Sequence, residues 1–225
     1  MLRFRNFESL GLRLAGITEA VDGDFSREGR PEDDALDLAG LARGPLYTIK
    51  QVHGTRVWPV GPRGPECSGP EVGDGLVTEQ ESVAIGVRVA DCVPVYLFDA
   101  AHRAVGIVHA GRQGTQDGAT ASAAHLMQIR FGTRPYELHA LIGPSAGPCC
   151  YQVNEQMAAE FIVRQLAVSG RFLDLWESNA RQLCQFGVPR SQIEIAGLCT
   201  ICGGGRFHSY RATSTSQRNL AVVSL

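Results

Sequence analysis

Two apolar runs constrain this chain more than any other feature, because each ends at a chemically active side chain. Residues 83–89 are followed at once by Asp91 and Cys92, and residues 104–108 are followed by His109. Short runs rich in β-branched residues predict buried strands. Loops at strand ends are positioned by a rigid sheet and often carry active sites. We therefore expect Cys92 and His109 to face one site.

A third candidate ligand, His53, follows the strand-like run at residues 46–52. Two imidazoles and one thiolate suit zinc or copper and leave one coordination position open. Taken one at a time, these residues also have a purely structural explanation. Cys92 can be an ordinary buried thiol, and His53 and His109 can be hydrogen-bonded loop histidines. Asp91 favours a site, because a carboxylate beside a thiol at a strand end is unlike core composition.

Candidate anion-binding groups follow His109 and recur near the C-terminus. Gly111 and Thr115 lie in a small-residue turn that leads into an expected helix, where unpaired backbone N–H groups suit phosphate. Arg211 and Arg218 flank a loop rich in serine and threonine, and an arginine fork recognises phosphate or carboxylate. Solvated loop arginines are the alternative interpretation.

Four further cysteines form two close pairs, Cys149-Cys150 and Cys199-x-x-Cys202. Successive side chains diverge in extended backbone, so adjacent cysteines are poor partners for one ion. The chain has no second Cys-x-x-Cys spacing, which argues against a four-cysteine zinc site. We interpret both pairs chiefly as packing residues, with thiol reactivity as the alternative.

Composition limits the class of protein. The chain has 225 residues, of which 44% are hydrophobic and 20% charged, and its net charge is −2, so a folded domain is expected. Without a basic stripe or a long apolar stretch, nucleic-acid and membrane partners are not expected. The odd number of cysteines and the lack of a secretory pattern favour a reduced, cytoplasmic protein of undetermined oligomeric state.

Periodicity predicts strands and helices in mixed order, and therefore a mixed sheet. A surface loop is expected at residues 61–73, where glycine and proline cluster. The expected strands are residues 46–52, 83–89, 93–98, 104–108, 137–142, 192–196 and 220–225. The expected helices are residues 31–41, 114–131, 154–168 and 173–186.

An ordered set of motifs resembles the laccase-domain family, also called YfiH-like proteins. The matching stretches are Gln51-Val-His-Gly54, Asp74-Gly-Leu-Val-Thr78, Ala90-Asp-Cys-Val-Pro94, Val108-His-Ala-Gly111, Pro148-Cys-Cys-Tyr151 and Phe207-His-Ser-Tyr-Arg211. The resemblance implies a single α/β (α+β) domain over residues 1–225, a layered α-β-β-α sandwich with a divergent segment at residues 1–45. It also implies that His53, Cys92 and His109 bind one metal ion, zinc or alternatively copper.

The activity implied by the resemblance is phosphorolysis of purine nucleosides, with a nucleoside and phosphate as small-molecule partners. Adenosine, inosine, guanosine and methylthioadenosine are the implied substrates, and adenosine deamination is an implied second reaction, for which Asp91 is the candidate proton carrier. Three alternatives stay open: a cysteine hydrolase or deamidase with Cys92 as nucleophile and His109 as base, a copper-dependent polyphenol oxidase activity, and a ligand-binding protein without turnover.

Three departures from the family pattern concern its charged positions. Arg112-Gln113 stands where the family has Trp-Arg, and Gln217-Arg218 stands where it has Gly-Arg. An acidic stretch at residues 20–30 replaces the N-terminal Arg-x-Gly-Gly-x-Ser motif. These changes motivate the alternative without turnover.

Overall fold

The structure is a computed structural model that describes residues 1–41, 44–67 and 71–225. Its strands are β1 (Leu2–Arg3), β2 (Leu14–Ile17), β3 (Leu46–Tyr47), β4 (Val57–Gly61), β5 (Gly64–Pro65), β6 (Gly75–Thr78), β7 (Ala84–Val89), β8 (Val93–Asp99), β9 (Ala104–Ala110), β10 (Leu138–Ile142), β11 (Val168–Ser169), β12 (Phe172–Leu173), β13 (Ile193–Ile195) and β14 (Asn219–Ser224). Its α-helices are α1 (Arg5–Glu8), α2 (Asp34–Leu38), α3 (Arg112–Asp117), α4 (Ala119–Phe131), α5 (Glu155–Val163), α6 (Leu175–Phe186) and α7 (Tyr210–Thr213), with short 3₁₀ turns at Ala20–Asp22, Pro135–Glu137 and Arg190–Gln192.

Two mixed sheets form the centre of the molecule. The five-stranded sheet has the order β1-β2-β14-β7-β3, and the seven-stranded sheet has the order β13-β10-β8-β9-β6-β4-β5. β3 runs parallel to β7, β13 parallel to β10 and β4 parallel to β6, whereas the other pairs in these sheets are antiparallel. The expectation of mixed sheets is confirmed.

Alternating side chains on β14 show how the layers are stacked. Ala221 and Val223 pack into the core between the two sheets, which also contains Tyr96 and Ile107 of the larger sheet. Leu220 and its alternate neighbours instead pack against the N-terminal segment that carries α2. A third core joins the outer face of the larger sheet to α4, α5 and α6. Period-two alternation therefore produces the expected α-β-β-α sandwich.

Several helices are shorter than the sequence predicts, because single residues adopt left-handed backbone. The expected helix at residues 114–131 is divided into α3 and α4 by Gly118, whose φ is 84°. The expected helix at residues 154–168 ends at Val163, and Gln165 with φ 57° turns the chain toward β11. A side chain in this region is disfavoured, so Gln165 is a local stop that periodicity does not reveal.

Two strand predictions also need correction. Only Leu46–Tyr47 of the expected strand at residues 46–52 is a strand, since the following backbone folds around Asp74 instead of pairing. The expected loop at residues 61–73 contains β5, which pairs with the end of β4; residues 68–70 of that expectation lie outside the described residues. Within the described chain, no helix combines the length and the apolarity needed to cross a bilayer.

Candidate functional site

Three strand-end segments bring His53, Cys92 and His109 together. Cys92 lies in the short link between β7 and β8, His109 lies near the end of β9, and His53 follows β3 in a turn with φ 61°. Their donor atoms all lie within 4.8 Å of one another. The two imidazole rings meet edge to face, with centroids 4.8 Å apart. His109 is buried, Cys92 is half-buried and His53 is exposed, so the group opens to solvent on one side.

Asp74, which immediately precedes β6, positions both histidines. Its fully buried carboxylate accepts hydrogen bonds from the backbone N–H groups of His53 (2.8 Å) and Gly54 (2.7 Å), and from Nδ1 of His109 (2.8 Å). Burial alone would raise the pKa of Asp74, but the hydrogen bond and charge of His109 and the backbone donors lower it. A carboxylate on Nδ1 orients the ring and leaves Nε2 available to a metal.

The protonation of Cys92 and His109 favours a charged pair. Burial opposes ionisation of the Cys92 thiol, but the His109 imidazolium and hydrogen bonds from both histidines lower its pKa to about 6. Burial likewise opposes protonation of His109, yet the Cys92 thiolate and Asp74 raise its pKa to about 9. The thiolate form is the one that binds metals.

Close packing around Gly111 matches a site built for a small ion. A Cβ added to Gly111 would lie 3.0 Å from Sγ of Cys92 and 3.1 Å from Cδ2 of His53. The backbone φ of Gly111 is −69°, so glycine is needed here for space and not for conformation. Two imidazoles and a thiolate at these distances fit a three-ligand metal centre.

Asp91 lies next to this group, but its carboxylate is already engaged. Oδ1 accepts hydrogen bonds from Oγ1 of Thr200 and Oγ of Ser209, both at 2.6 Å, and Oδ2 accepts one from the backbone N–H of Arg211 at 2.6 Å. The residue is buried and has φ 84°. Such strain persists only where surrounding contacts hold it. Asp91 therefore joins three segments below the site, and its role in proton transfer stays a prediction.

A cavity of about 900 Å³ opens directly over the three donors. Both predicted arginines, Arg211 and Arg218, line it together with His53, Cys92 and His109. Its charged lining is predominantly basic and comprises Arg27, Lys50, Arg88, Arg112, Arg211, Arg218, Glu28 and Asp91. A positively charged cavity beside a metal centre can hold an anion close to a polarised group.

The predicted anion-binding turn is arranged differently from the expectation. Thr115 is fully buried; its hydroxyl donates to the carbonyl of Ala110 and accepts from the side-chain amide of Asn179. Thr115 therefore does not line the cavity, whereas Arg112 from the same turn does. Gly111 contributes the close approach to Cys92 described above.

Both predicted arginines use Nη1 to donate to backbone carbonyls. The guanidinium of Arg211 lies 4.8 Å from the ring centroid of Tyr151 and donates from Nη1 to the carbonyl of Gln152. Nη1 of Arg218 donates to the carbonyls of Ser216 and Gln217, so this side chain also supports its own loop.

Sequence reasoning did not assign a role to Asp74, Arg27 or Arg88. Arg88 could have been found from its place within an apolar run, since its side chain is only 10% exposed and donates to Thr48, Glu32 and the carbonyl of Phe25. Burial, together with the charge of Arg27, lowers the pKa of Arg88. Asp74 begins one of the motifs on which the family resemblance rests, but its contacts with His53 and His109 cannot be read from the sequence.

The divergent N-terminal segment reaches the cavity rather than lying apart from it. Ser26, Arg27 and Glu28 line the cavity. Asp24 holds this stretch in place by accepting hydrogen bonds from the N–H of Ser26 (2.8 Å) and the N–H of Arg218 (2.9 Å). The acidic stretch therefore supplies a cationic side chain, Arg27, to the cavity.

A second group of donors contradicts the sequence argument against a four-cysteine cluster. The sulfur atoms of Cys149, Cys150, Cys199 and Cys202 all lie within 4.8 Å of one another. The argument assumed extended backbone at Cys149-Cys150, but these residues lie in a turn in which the N–H of Cys150 donates to the carbonyl of Gly147. In a turn, successive side chains need not point in opposite directions.

Comparison with known proteins gives consistent results over most of the chain. Residues 30–225 match the family described as multi-copper polyphenol oxidoreductase laccase. Purine nucleoside phosphorylase YlmD of Geobacillus stearothermophilus is 34% identical over 161 residues, which cover 67% of this chain and 59% of that protein. Purine nucleoside phosphorylase Cgl2154/cg2365 of Corynebacterium glutamicum is 33% identical over 229 residues, or 95% of this chain and 92% of that protein.

Solved structures share the same architecture. The crystal structure of YlmD from Geobacillus stearothermophilus superposes with a TM-score of 0.81 at 28% identity, covering 94% of this chain and 91% of that chain. The fold agrees with that of this solved structure. The chain belongs to the multi-copper polyphenol oxidoreductase laccase family, and the two relatives described above are named purine nucleoside phosphorylases.

Proposed function

We propose that this chain is a zinc-dependent purine nucleoside phosphorylase. The observation that carries the proposal is one cavity of about 900 Å³ with His53, Cys92 and His109 at its base and a mostly basic lining. A metal-ligand group and anion-binding side chains in one space suit a reaction between a nucleoside and phosphate. The names of the relatives support the same reaction class.

The cavity offers complementary surfaces for both substrates. Tyr151 and Tyr210 line it and present apolar ring surface to a purine or ribose. Arg27, Arg112 and Arg211 also line it and can donate to a phosphate oxygen. The volume falls in the range of small-molecule sites. We propose adenosine, inosine, guanosine and methylthioadenosine as substrates.

Zinc fits the donor set because two imidazoles and one thiolate leave a fourth position open. When bound, zinc supplies Lewis-acid polarisation of a substrate oxygen. Asp74 keeps His109 in the required tautomer and His53 in its turn. The arginines hold phosphate against the ribose; the glycosidic C–N bond breaks, a C–O bond to phosphate forms, and the purine leaves with a proton. Phosphorolysis needs no change of oxidation state, which favours zinc over copper as the functional ion.

Adenosine deamination is a second reaction that we propose for the same cavity. The candidate proton carrier is Asp91, whose two carboxylate oxygens accept hydrogen bonds from Thr200, Ser209 and Arg211. Release of one of these donors would free an oxygen lone pair for proton transfer. Conversion of adenosine to inosine without phosphate would report this reaction separately from phosphorolysis.

One observation favours a different class of enzyme as the second candidate. Cys92, His109 and Asp74 form a thiolate, an imidazolium and an orienting carboxylate in hydrogen-bonded sequence. This is the arrangement of a cysteine hydrolase or deamidase, in which Cys92 is the nucleophile and His109 the base. Such an enzyme needs no metal and is inactivated by alkylation of the thiol.

The test uses inosine, phosphate and zinc-loaded protein, with hypoxanthine and ribose 1-phosphate as measured products. We expect phosphate-dependent release of hypoxanthine at a rate that falls by about 10²-fold or more in Cys92→Ala. Removing a residue that only supports a metal ligand lowers activity by up to about 10²-fold, and Cys92 is itself a proposed ligand. The matched control is Cys184→Ala, a half-buried cysteine on α6. Absence of hypoxanthine above the Cys92→Ala background refutes the proposal, and nucleoside binding without product would identify a protein that binds but does not turn over.

A further inference from the structure

Two turns bring four cysteines together on a face of the molecule that the cavity does not use. Cys149 and Cys150 follow β10 in one turn, and Cys199 and Cys202 follow β13 in the other. All four sulfur atoms lie within 4.8 Å of one another. Sγ of Cys149 and Sγ of Cys202 are 3.7 Å apart. None of the four cysteines belongs to the cavity lining described above.

Backbone hydrogen bonds hold the two turns against each other. The N–H of Ser145 donates to the carbonyl of Leu198 (3.2 Å), and the N–H of Thr200 donates to the carbonyl of Ser145 (2.9 Å). Within the first turn, the N–H of Cys150 donates to the carbonyl of Gly147 (3.0 Å). The sulfur cluster is therefore a consequence of paired backbone and not of flexible side chains.

A backbone donor also holds one of the four sulfurs in place. The backbone N–H of Gly147 donates to Sγ of Cys199 (3.3 Å). Backbone donors around the first sulfur of a Cys-x-x-Cys turn prepare it to act as a thiolate ligand.

The spacing of the sulfurs distinguishes a metal site from a disulfide. A tetrahedral zinc with Zn–S bonds of ~2.3 Å places its sulfurs about 3.8 Å apart, close to the 3.7 Å between Cys149 and Cys202. A disulfide needs a much shorter separation, ~2.05 Å. Four sulfur donors without a carboxylate select a soft or borderline ion over magnesium or calcium.

We propose that Cys149, Cys150, Cys199 and Cys202 bind a Zn²⁺ ion as a tetrathiolate, at a site separate from His53, Cys92 and His109. Each thiol that coordinates releases its proton to solvent, so no oxidant or reductant is required. A neighbouring cavity of about 370 Å³, lined by Trp176 and Phe207 as well as by three of the cysteines, gives an ion access to the cluster.

This second ion would act on the cavity through its neighbours. Tyr151 directly follows Cys150 and lines the large cavity, while Thr200 directly follows Cys199 and donates to Asp91. The proposed ion joins the two turns that carry these residues. Its role is to position them, since none of the four sulfurs reaches the cavity.

Cobalt substitution tests the proposal with a readout other than activity. The reduced variant His53→Ala/Cys92→Ala lacks two donors of the first site, so the bound ion reports on the cluster. We expect about one equivalent of Co²⁺ per chain, with the strong sulfur-to-cobalt charge-transfer and tetrahedral d–d bands of tetrathiolate coordination. Adding Cys149→Ser/Cys202→Ser should abolish these bands, whereas adding Cys67→Ser/Cys184→Ser should preserve them. Bands that are absent, or that survive loss of Cys149 and Cys202, overturn the proposal.

A second measurement uses the unmodified chain and does not depend on folding of the variants. Protein purified without added metal is titrated with a mercurial reagent while released zinc is followed with a coloured chelator. We expect about two equivalents of zinc per chain, one for each site, released as thiols react. Release of a single equivalent, with the four cluster thiols either freely reactive or paired in disulfides, would contradict the proposal.

Discussion

The two clusters of soft donors are both compact but are built in different ways. His53, Cys92 and His109 lie at the ends of strands and are surrounded by charge: Asp74 below and arginines above. The four cysteines lie in two turns, and backbone N–H groups rather than charged side chains support Cys199. Both groups have donor atoms within 4.8 Å of one another. Both clusters therefore place their donor atoms close together. Only the cluster of His53, Cys92 and His109 leaves a coordination position open and faces a charged cavity.

This difference separates a site suited to chemistry from one suited to structure. A catalytic zinc keeps a position for substrate, whereas a structural zinc is closed by four protein ligands. The site with three donors opens into about 900 Å³ of basic cavity. The four-sulfur cluster completes its own coordination. We therefore expect substitutions at the site with three donors to lower turnover. Substitutions at the four-sulfur cluster should lower thermal stability more than turnover.

The largest expected effect in the comparison comes from Asp74→Asn. The substitution removes the charge that supports His109 and replaces an acceptor for three backbone N–H groups, those of Val52, His53 and Gly54, with an amide. Loss of a carboxylate behind a metal-binding histidine costs about 10–100-fold in metal affinity or activity. Zinc affinity by competition and kcat/KM for inosine measure it. The control is Asp117→Asn, at an exposed ion pair with Arg164, which should change neither the zinc affinity nor kcat/KM. If Asp74→Asn also left both quantities unchanged, charge would no longer distinguish the two clusters.

Paired glycine substitutions sharpen the distinction with a smaller effect. An alanine Cβ at Gly111 would lie 3.0 Å from Sγ of Cys92, and one at Gly147 would lie 2.6 Å from Cη2 of Trp176 and 3.2 Å from Cβ of Cys199. We expect Gly111→Ala to lower kcat/KM about 10-fold, because the ligands must move. Gly147→Ala should lower Tm by several degrees, consistent with overpacking of about 1–3 kcal/mol.

Kinetics and thermal unfolding of both variants provide the measurement. Gly44→Ala serves as the control, because among the described residues its added Cβ would meet only the carbonyl of Ser82, at 3.7 Å. The opposite outcome would be lower turnover at unchanged Tm in Gly147→Ala and lower Tm at unchanged turnover in Gly111→Ala. It would mean that the four-cysteine cluster serves catalysis and the group of His53, Cys92 and His109 serves stability.

Arg27→Ala tests the basic wall of the cavity. Arg27 lines the cavity and its charge lowers the pKa of the neighbouring Arg88, so it adds positive potential at the proposed phosphate position. Removing one such charge should raise the KM for phosphate several-fold, which corresponds to about 1 kcal/mol of binding free energy. The value of kcat should stay nearly unchanged. Steady-state kinetics with phosphate as the varied substrate measure it. Arg181→Ala, on the exposed face of α6, is the control and should leave this KM unaltered.

The smallest effect concerns thiol reactivity in metal-free protein. The Cys92 thiolate forms as the pH rises through about 6 and keeps the His109 imidazolium as partner until about pH 9. In the cluster, the pKa of Cys199 is lowered to about 7, whereas hydrogen bonding with Cys202 and burial raise that of Cys150 to about 12. Alkylation of Cys92 should therefore level off near pH 7, while that of Cys150 continues to increase beyond pH 9.

Mass spectrometry of alkylated peptides across this pH range separates the two curves. Because low-pKa thiolates are weaker nucleophiles, the difference in rate is modest and the shape of the profile is the informative quantity. A Cys92 profile that keeps rising through pH 9 would show that the thiolate–imidazolium pair does not form.

Much of the fold was predictable because strand periodicity is strong where burial is complete. Residues 93–98 and 104–108 were expected as strands and form the paired strands β8 and β9. The N-terminal strands β1 and β2 were not predicted, since runs as short as Leu2–Arg3 carry no readable period. The stops at Gly118 and Gln165 depend on single left-handed residues, which a hydrophobic pattern does not report.

The candidate site was predictable for a different reason. His53, Cys92 and His109 were singled out by their positions after apolar runs, and antiparallel or parallel pairing brings such ends together. The burial of Thr115 was not predictable, because a turn followed by a helix suggests exposed N–H groups, whereas packing against Asn179 buries this residue. The cysteine cluster was not predicted, because the pairing of Ser145 with Cys199 that brings its two turns together cannot be read from sequence spacing.

The position of β14 has a consequence for the order in which the protein can be assembled. β14 lies between β2 and β7, so β2 pairs with a strand that is synthesised much later than β2 itself. During synthesis, β8, β9 and β10 can pair as soon as they emerge, whereas the five-stranded sheet must wait until residues 219–224 leave the ribosome. Phe25 and Asp24 also wait, because both bond to Arg218. Until residues 219–224 emerge, the five-stranded sheet is incomplete, and this is the interval in which aggregation or chaperone capture is most expected.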